Sequence, residues 1–330
     1  MRRALVARAP TRLDFGGGWT DVPPYTDREG GAVCNVAITR YATATVAAGG
    51  HAAARSHPAH DRDDALVLAA LRHSSLAGAE ATIASDFPVG AGLGGSSAAG
   101  VALAGALAAL AGHSLDAHAL ATLSRETEVR EIGVPGGFQD HFAAAYGGAL
   151  LLTFGAEASV ERIPLSDDTA ATLARRSILV YTGESRISGS TITAVVDAYV
   201  AGDAHVVAAL ARMKALAYKM AAALRFADIS TLGALVGEHW SHQRALHPSI
   251  TTPRIDAIVE AAARSGALGT KALGASGGGC VLAIAVEGRE DELAAALAPL
   301  GERLAFGIDA AGFDILARLE EQHSTDYTPS

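Results

Sequence analysis

Apolar positions along the chain fall into short runs rich in β-branched residues and into longer alanine-rich stretches. Residues 4–9 and 32–48 read as strands, the second carrying Val33, Val36, Ile38, Thr43, Thr45 and Val46. Residues 79–85 predict a strand that runs into a glycine-rich loop. The stretches 96–111 and 116–131 then read as helices, and 149–154, after Gly147-Gly148, as a strand. The second half opens on a buried strand at 177–183. Helices are expected at about 190–201, 203–224, 228–245 and 253–264, the last with Thr252 as N-cap and Pro253 in the first turn. A strand at 280–286 and a helix at about 290–297 follow. Strands and helices interleaved in this order make an α+β chain. The polar stretch 49–65 reads as a solvated loop or hairpin tip. Its histidines, His51, His57 and His60, do not pair on one helix face, so a metal site there is not expected. The residues from about Gln322 onward are expected to fray.

A length of 330 residues suggests about two domains. The net charge of −9 argues against nucleic acid or an anionic membrane as partner. Cys34 and Cys280 read as buried thiols, too few for a disulfide framework, and no zinc-type spacing of Cys and His is present. The basic start Met1-Arg2-Arg3 is followed by Arg8 and Arg12, which interrupt any signal-peptide core. No formal charge lies between Asp86 and Asp116, yet the apolar helix there covers only about 15 residues. A bilayer needs roughly 20. Composition agrees with a soluble cytoplasmic enzyme.

The loop between the third strand and the first alanine-rich helix is Pro88-Val89-Gly90-Ala91-Gly92-Leu93-Gly94-Gly95-Ser96-Ser97-Ala98. Its glycines allow tight turns and let backbone N–H groups approach a ligand. Ser96 and Ser97 open a helix whose first amides have no partner within it. Free amides and the positive end of the helix dipole favour an anion, most often a phosphate. No lysine follows Gly95, so the loop is not a Walker A motif. Nor is it a dinucleotide fingerprint, because alanine-rich sequence continues to about Gly112 where a strand ending in an acid is required. Two further segments stand out. One is Ala9-Pro10-Thr11-Arg12-Leu13-Asp14-Phe15-Gly16-Gly17-Gly18-Trp19-Thr20-Asp21; the other is Lys271-Ala272-Leu273-Gly274-Ala275-Ser276-Gly277-Gly278-Gly279-Cys280.

In this order the three segments resemble the motifs of the GHMP kinases, the family of galactokinase, homoserine kinase, mevalonate kinase and phosphomevalonate kinase. Gly95 departs from the pattern, standing where many members begin a serine run. Ser276 departs too, replacing a glycine of K-x-x-G-A-G-G-G-G. The resemblance implies a two-domain α+β fold: a ribosomal protein S5 domain 2-like unit over 1–175 and a ferredoxin-like unit over 176–330. It also implies ATP and Mg²⁺, with Gly90, Gly92, Leu93, Gly94, Gly95, Ser96 and Ser97 holding the nucleotide.

Asp140, in Gly136-Gly137-Phe138-Gln139-Asp140-His141, resembles the aspartate of the galactokinase-type pattern G-x-x-C-G-x-M-D. Gly136 replaces Cys there and Gln139 replaces Met. In the family that aspartate takes the proton of the acceptor hydroxyl, or orients the nucleophile. The family places a metal-binding glutamate twelve residues upstream, which selects Glu128. Ser96 is the expected partner serine and Ser97 the second choice, and Mg²⁺ suits such oxygen ligands. Glu126 and Glu131 read as part of a solvated helix face. Arg12 matches the motif arginine that meets the transferring phosphate and Asp140. Trp19, Thr20 and Asp21 are expected on the sugar, together with Gly137, Gly277 and Gly278. Lys271 reads as structural.

Phe15-Gly16-Gly17-Gly18-Trp19-Thr20-Asp21 looks like the branch that holds heptose 7-phosphate kinases and the kinase half of L-fucokinases. Trp19 is closer to the fucokinase form. The stretch from Glu238 to Asp256 is closer to the heptose form. The best match is phosphorylation at the anomeric hydroxyl of D-glycero-D-manno-heptose 7-phosphate, with Arg28, Arg40 or Arg186 on the distal phosphate. A neutral-sugar kinase of the fucose or galactose type and a catalytically inactive sugar sensor are the alternatives. A diphosphate decarboxylase of the same fold is disfavoured by the sugar-type turn.

Overall fold

The computed structural model describes residues 2–48, 61–74, 76–129, 136–184 and 189–321. Its first sheet has six strands: β1 (Arg2–Gly16), β2 (Gly31–Ala47), β3 (Glu80–Ser85), β4 (Ala149–Phe154), β5 (Ala158–Ile163) and β10 (Asp314–Glu321). Their order is β10-β1-β2-β4-β5, with β3 also paired to β2, and every pairing is antiparallel. The second sheet has order β7-β8-β6-β9, from β6 (Ser177–Tyr181), β7 (Ala267–Ala272), β8 (Cys280–Ala285) and β9 (Glu302–Arg303). The chain enters this sheet at Ser177, and its last strand, β10, departs from the expected 176–330 unit by returning to pair with β1 in the first sheet.

Eleven helices among the described residues cover the sheets. They are α1 (Tyr25–Glu29), α2 (Asp61–His73), α3 (Gly95–Leu110), α4 (Ala117–Thr127), α5 (Gln139–Tyr146) and α6 (Asp167–Arg176), then α7 (Gly189–Val200), α8 (Ala204–Arg225), α9 (Ile229–Arg244), α10 (Pro253–Arg264) and α11 (Glu290–Leu297). Alanine is the best helix former, and its small side chain lets α3 lie close on β1 and β2. Leu5, Ala7, Ala9, Ala42, Ala44 and Val46 face α3 in one core. A register shift at Pro10/Thr11 then changes the face that β1 turns to that core. Beyond it Leu13 and Phe15 join Cys34, Val36, Leu216, Ala217 and Met220 in a second core under α8. Side chains alternate along a strand, so Arg12 and Asp14 point away from Leu13 and Phe15. That is how one strand supplies both a core and a site.

Expected helix starts hold where a cap is present. Thr252 accepts from Ile255 N at 3.2 Å, Asp203 from His205 N at 2.9 Å and Asp228 from Thr231 N at 2.9 Å. The expected solvated loop over 49–65 is corrected at its end, where α2 begins at Asp61; His51, His57 and His60 lie outside the described residues. Strands β5 and β10 and helix α6 have no counterpart in the expected elements. The helix expected to reach 131 is α4, which ends at Thr127; residues 130–135, Glu131 included, and the tail from Gln322 lie outside the described set. Among the described residues no single helix is long and apolar enough to cross a membrane.

Candidate active site

A cavity of about 480 Å³ lies where the two sheets' loops meet. It is lined by the end of β1, the loop before α3, the start of α5 and the loop between β7 and β8. The two glycine-rich loops interlock. Cys280 N donates to Ala91 O at 2.8 Å, and a Cβ at Gly92 would stand 2.7 Å from Leu273 O. Arg12 ties the first loop to β1: its N–H donates to Leu93 O at 3.1 Å and its Nη1 to Gly92 O at 2.6 Å. Gly94, the N-cap of α3, has left-handed backbone (φ +76°) and offers no side chain to the helix's first amides. Those amides remain for a ligand, and the helix dipole favours an anion.

Asp140 sits in the first turn of α5, facing this loop. Its Oδ1 is 2.8 Å from Arg12 Nη2. Burial raises the Asp140 pKa; Arg12 and His141 oppose that shift, while Asp14 and Glu128 add to it. The result is a carboxylate more basic than an ordinary one, held in place by a guanidinium. Asp21 lies beside it and accepts from Gln139 N at 3.0 Å. Burial pushes Asp21 up to about 6. A Cβ at Gly137 would collide with Asp21 Oδ2, so only glycine admits this approach. Trp19 has left-handed backbone (φ +78°) and lines the same cavity, and its indole N–H has no partner among the described residues.

Glu128 also reaches the cavity, with its Oε2 3.0 Å from His141 Nε2 and 3.4 Å from Ser97 Oγ. The serine placed against Glu128 is therefore Ser97, where Ser96 was expected; Ser96 lines the same cavity wall. Successive helix residues point about 100° apart, and the pattern of letters does not settle that phase. Among the described residues no group of three or more His, Cys, Asp or Glu side chains is arranged to hold a metal alone. A carboxylate with serine hydroxyls does suit a hard divalent ion that takes its remaining oxygens from a phosphate.

Behind the wall, Lys271 Nζ donates to Asp14 O at 2.7 Å and Asp14 Oδ2 at 3.0 Å, with both side chains nearly inaccessible. Burial alone would raise Asp14, but Lys271, His239 and Arg12 together hold it below its ordinary value. Burial drives His239 well below its ordinary value, and its Nε2 accepts from Gly17 N at 2.9 Å. Lys271 is thus structural, as expected, through a partner on β1 that the sequence does not reveal.

Of the expected site residues, Arg12, Trp19, Asp21, Gly90, Gly92, Leu93, Gly94, Gly95, Ser96, Ser97, Glu128, Gly137, Asp140 and Gly278 line this cavity. Thr20 and Gly277 do not. Thr20 Oγ1 donates to Gly17 O at 2.7 Å and accepts from Ala32 N at 3.1 Å, which fixes the turn. Gly277 N donates to Ile250 O at 2.9 Å. Arg28 is exposed and lies over the Tyr199 ring, and Arg40 donates to Ala305 O and Asp86 O, so neither lines the cavity. Arg186 lies outside the described residues. Asp14 and His141 line the cavity without having been given a role from the sequence, although each adjoins or belongs to a recognised motif.

The model of the GHMP kinases N terminal domain matches residues 63–148, and that of the GHMP kinases C terminal matches 209–302, together more than half of the chain. The chain belongs to the GHMP kinases. This GHMP kinase is 27% identical over 301 residues to the D-glycero-alpha-D-manno-heptose 7-phosphate kinase of Campylobacter jejuni, covering 84% of this chain and 88% of that one. It is 28% identical over 327 residues to the L-fucokinase/L-fucose-1-P guanylyltransferase of Bacteroides fragilis, covering 84% of this chain. It spans only 34% of that relative's length. The crystal structure of a D-glycero-D-manno-heptose 1-phosphate kinase from Bacteriodes thetaiotaomicron superposes with a TM-score of 0.77 at 22% identity. That superposition covers 96% of this chain and 99% of the other, and it supports the two-domain α+β fold.

Proposed function

We propose that this GHMP kinase is an ATP-dependent sugar kinase that phosphorylates the anomeric hydroxyl of a pyranose, with D-glycero-D-manno-heptose 7-phosphate as acceptor. The observation that carries the reading is the Arg12–Asp140 pair at 2.8 Å, set against the glycine loop at the mouth of α3. The free amides of α3 take the nucleotide's phosphates. Asp21 and Trp19 hold the acceptor. Asp140 accepts the proton of the anomeric hydroxyl as its oxygen bonds to the γ-phosphorus, and the bond to the β-phosphate oxygen breaks to release ADP. Arg12 meets the charge on the transferring group. Glu128, with Ser97 and Ser96, would hold Mg²⁺, which when bound offsets phosphate charge. A sensor needs the pocket without the base, so Asp140 placed at the loop favours catalysis over sensing.

The likeness to the heptose 7-phosphate kinase of Campylobacter jejuni supports the phosphorylated acceptor. One observation favours a neutral sugar of the fucose or galactose type instead. Among the described residues Arg12 is the sole arginine or lysine on the cavity wall, and it is engaged with Asp140 and Gly92. A distal phosphate calls for a second cation, for which guanidinium is best suited. Steady-state ADP formation with heptose 7-phosphate, unphosphorylated heptose, fucose and galactose decides between them. The proposal expects the highest kcat/KM with heptose 7-phosphate. Equal or better turnover of a neutral sugar replaces that acceptor with the neutral one.

A further inference from the structure

Ser276 stands where the family pattern has glycine, in the loop between β7 and β8. Its backbone is left-handed (φ +68°), a conformation side-chain-bearing residues rarely adopt. Among the described residues only Trp19, Ala227 and Ser276 are non-glycines with positive φ. Two of these three, Trp19 and Ser276, line the cavity. Strain of this kind persists where the surrounding structure enforces it, and it gathers at functional sites.

Gln243 of α9, itself buried, enforces it here. Its Nε2 donates to Gly274 O at 3.1 Å, to Ser276 Oγ at 3.0 Å and more weakly to Ala272 O at 3.4 Å. The group facing two backbone carbonyls must be the amide NH₂, because an amide oxygen there would face acceptors only. An amide nitrogen does not accept a hydrogen bond, so the Ser276 hydroxyl cannot return its proton to Gln243. No other acceptor among the described residues takes that proton. Ser276 is only 5% exposed, and the surface it does present is cavity wall. A buried hydroxyl oriented by one hydrogen bond thus has a second one to give to whatever fills the cavity.

The surroundings say which end of the cavity it serves. Gly274, two residues earlier, packs on Gly92 of the phosphate-side loop. Past Ser276 the chain turns the other way: Gly277 N bonds to Ile250 O, and Ile250 shares an apolar cluster with Trp19, against which Ala275 and Ile192 pack. We propose that Ser276 is an acceptor-binding residue, its hydroxyl donating to an oxygen of the sugar, with Gln243 as the positioning residue. This rests on the sugar-kinase reading above.

Ser276→Gly is the informative variant, since glycine is the residue this backbone favours and folding is retained. Ser276→Ala removes the hydroxyl while keeping the strained backbone. KM for the sugar, KM for ATP and the thermal midpoint are measured for wild type and both variants. The expected result is a sugar KM about threefold to tenfold higher in both variants, the scale of one neutral hydrogen bond. The ATP KM stays unchanged, and the glycine variant melts no lower than the alanine one. An unchanged sugar KM in a wild-type background that turns over sugar overturns this inference alone. A rise confined to the ATP KM also overturns it, assigning the hydroxyl to a nucleotide phosphate. A wild type that turns over no sugar overturns the kinase reading and this inference with it.

Discussion

Arg12 holds Asp140 and the phosphate-side loop with one guanidinium: Nη2 lies 2.8 Å from Asp140 Oδ1, and Nη1 donates to Gly92 O at 2.6 Å. The proposed base and the proposed phosphate cradle are therefore positioned by the same side chain. Asp140→Asn keeps an oxygen for Arg12 but removes the basic carboxylate. Its expected effect is a kcat lower by roughly 100-fold or more, with nucleotide binding retained. The pH profile adds a second check. The carboxylate is the active form and burial raises its pKa, so wild-type activity falls on the acid side at a pH above the ordinary carboxylate range. That contribution should be lost in Asp140→Asn, leaving only what Asp21, at about 6, adds to the acid side. Turnover near wild type in a folded variant would remove Asp140 from its role.

Gly137 and Asp21 are in close approach, and a methyl group at 137 must displace the carboxylate. Gly137→Ala is expected to raise the sugar KM while leaving the ATP KM unchanged. Asp21→Asn tests the same carboxylate through stability. In the folded protein Asp21 titrates at about 6, against an ordinary 3.8. Between those values the folded state binds more protons than the unfolded one, so wild type loses stability as pH rises through that window. Asparagine has no such dependence. The melting-temperature difference, Asn minus Asp, should be more positive at pH 7 than at pH 4, and a pH-independent difference would contradict the assignment.

Glu128→Gln is expected to raise the Mg²⁺ concentration needed for half-maximal activity. Among the described residues its carboxylate is the acidic group set beside Ser97. An Mg²⁺ titration identical to wild type would exclude Glu128 as a ligand.

Lys271 and Asp14 form an ion pair whose side chains are almost fully buried. Lys271→Met strands a buried carboxylate and should lower stability by about 3–5 kcal/mol. Adding Asp14→Asn removes that stranded charge, so the double variant should recover much of the loss. Equal denaturation midpoints for the single and double variants would show that the pair is not coupled.

The elements that were legible in the sequence carry local signals. The loop 88–98 announces itself by its glycines and by the alanine-rich helix behind it, and α10 by Thr252-Pro253. Strand β10 was not legible, because its charged and apolar residues make sense only beside β1, roughly three hundred residues earlier in the chain. The same holds for Lys271, whose partner Asp14 is 257 residues away. Gln243 gives no signal at all, since its role depends on a loop that packs against α9 only in the folded chain. Within the site, the motifs identified Arg12, Asp21, Glu128 and Asp140 as a set, and the fold brings them to one cavity. Which of Ser96 and Ser97 touches Glu128 depended on helix phase.

The central claim, phosphoryl transfer from ATP to an anomeric hydroxyl, is tested most directly by phosphorus NMR. The protein is incubated with ATP, Mg²⁺ and each sugar of the panel, and the products are followed over time. The account predicts ADP together with a new phosphomonoester resonance coupled to the sugar's anomeric proton. Nucleotide that binds yet yields no sugar phosphate with any member of the panel would contradict it, as would a phosphoester at any other hydroxyl.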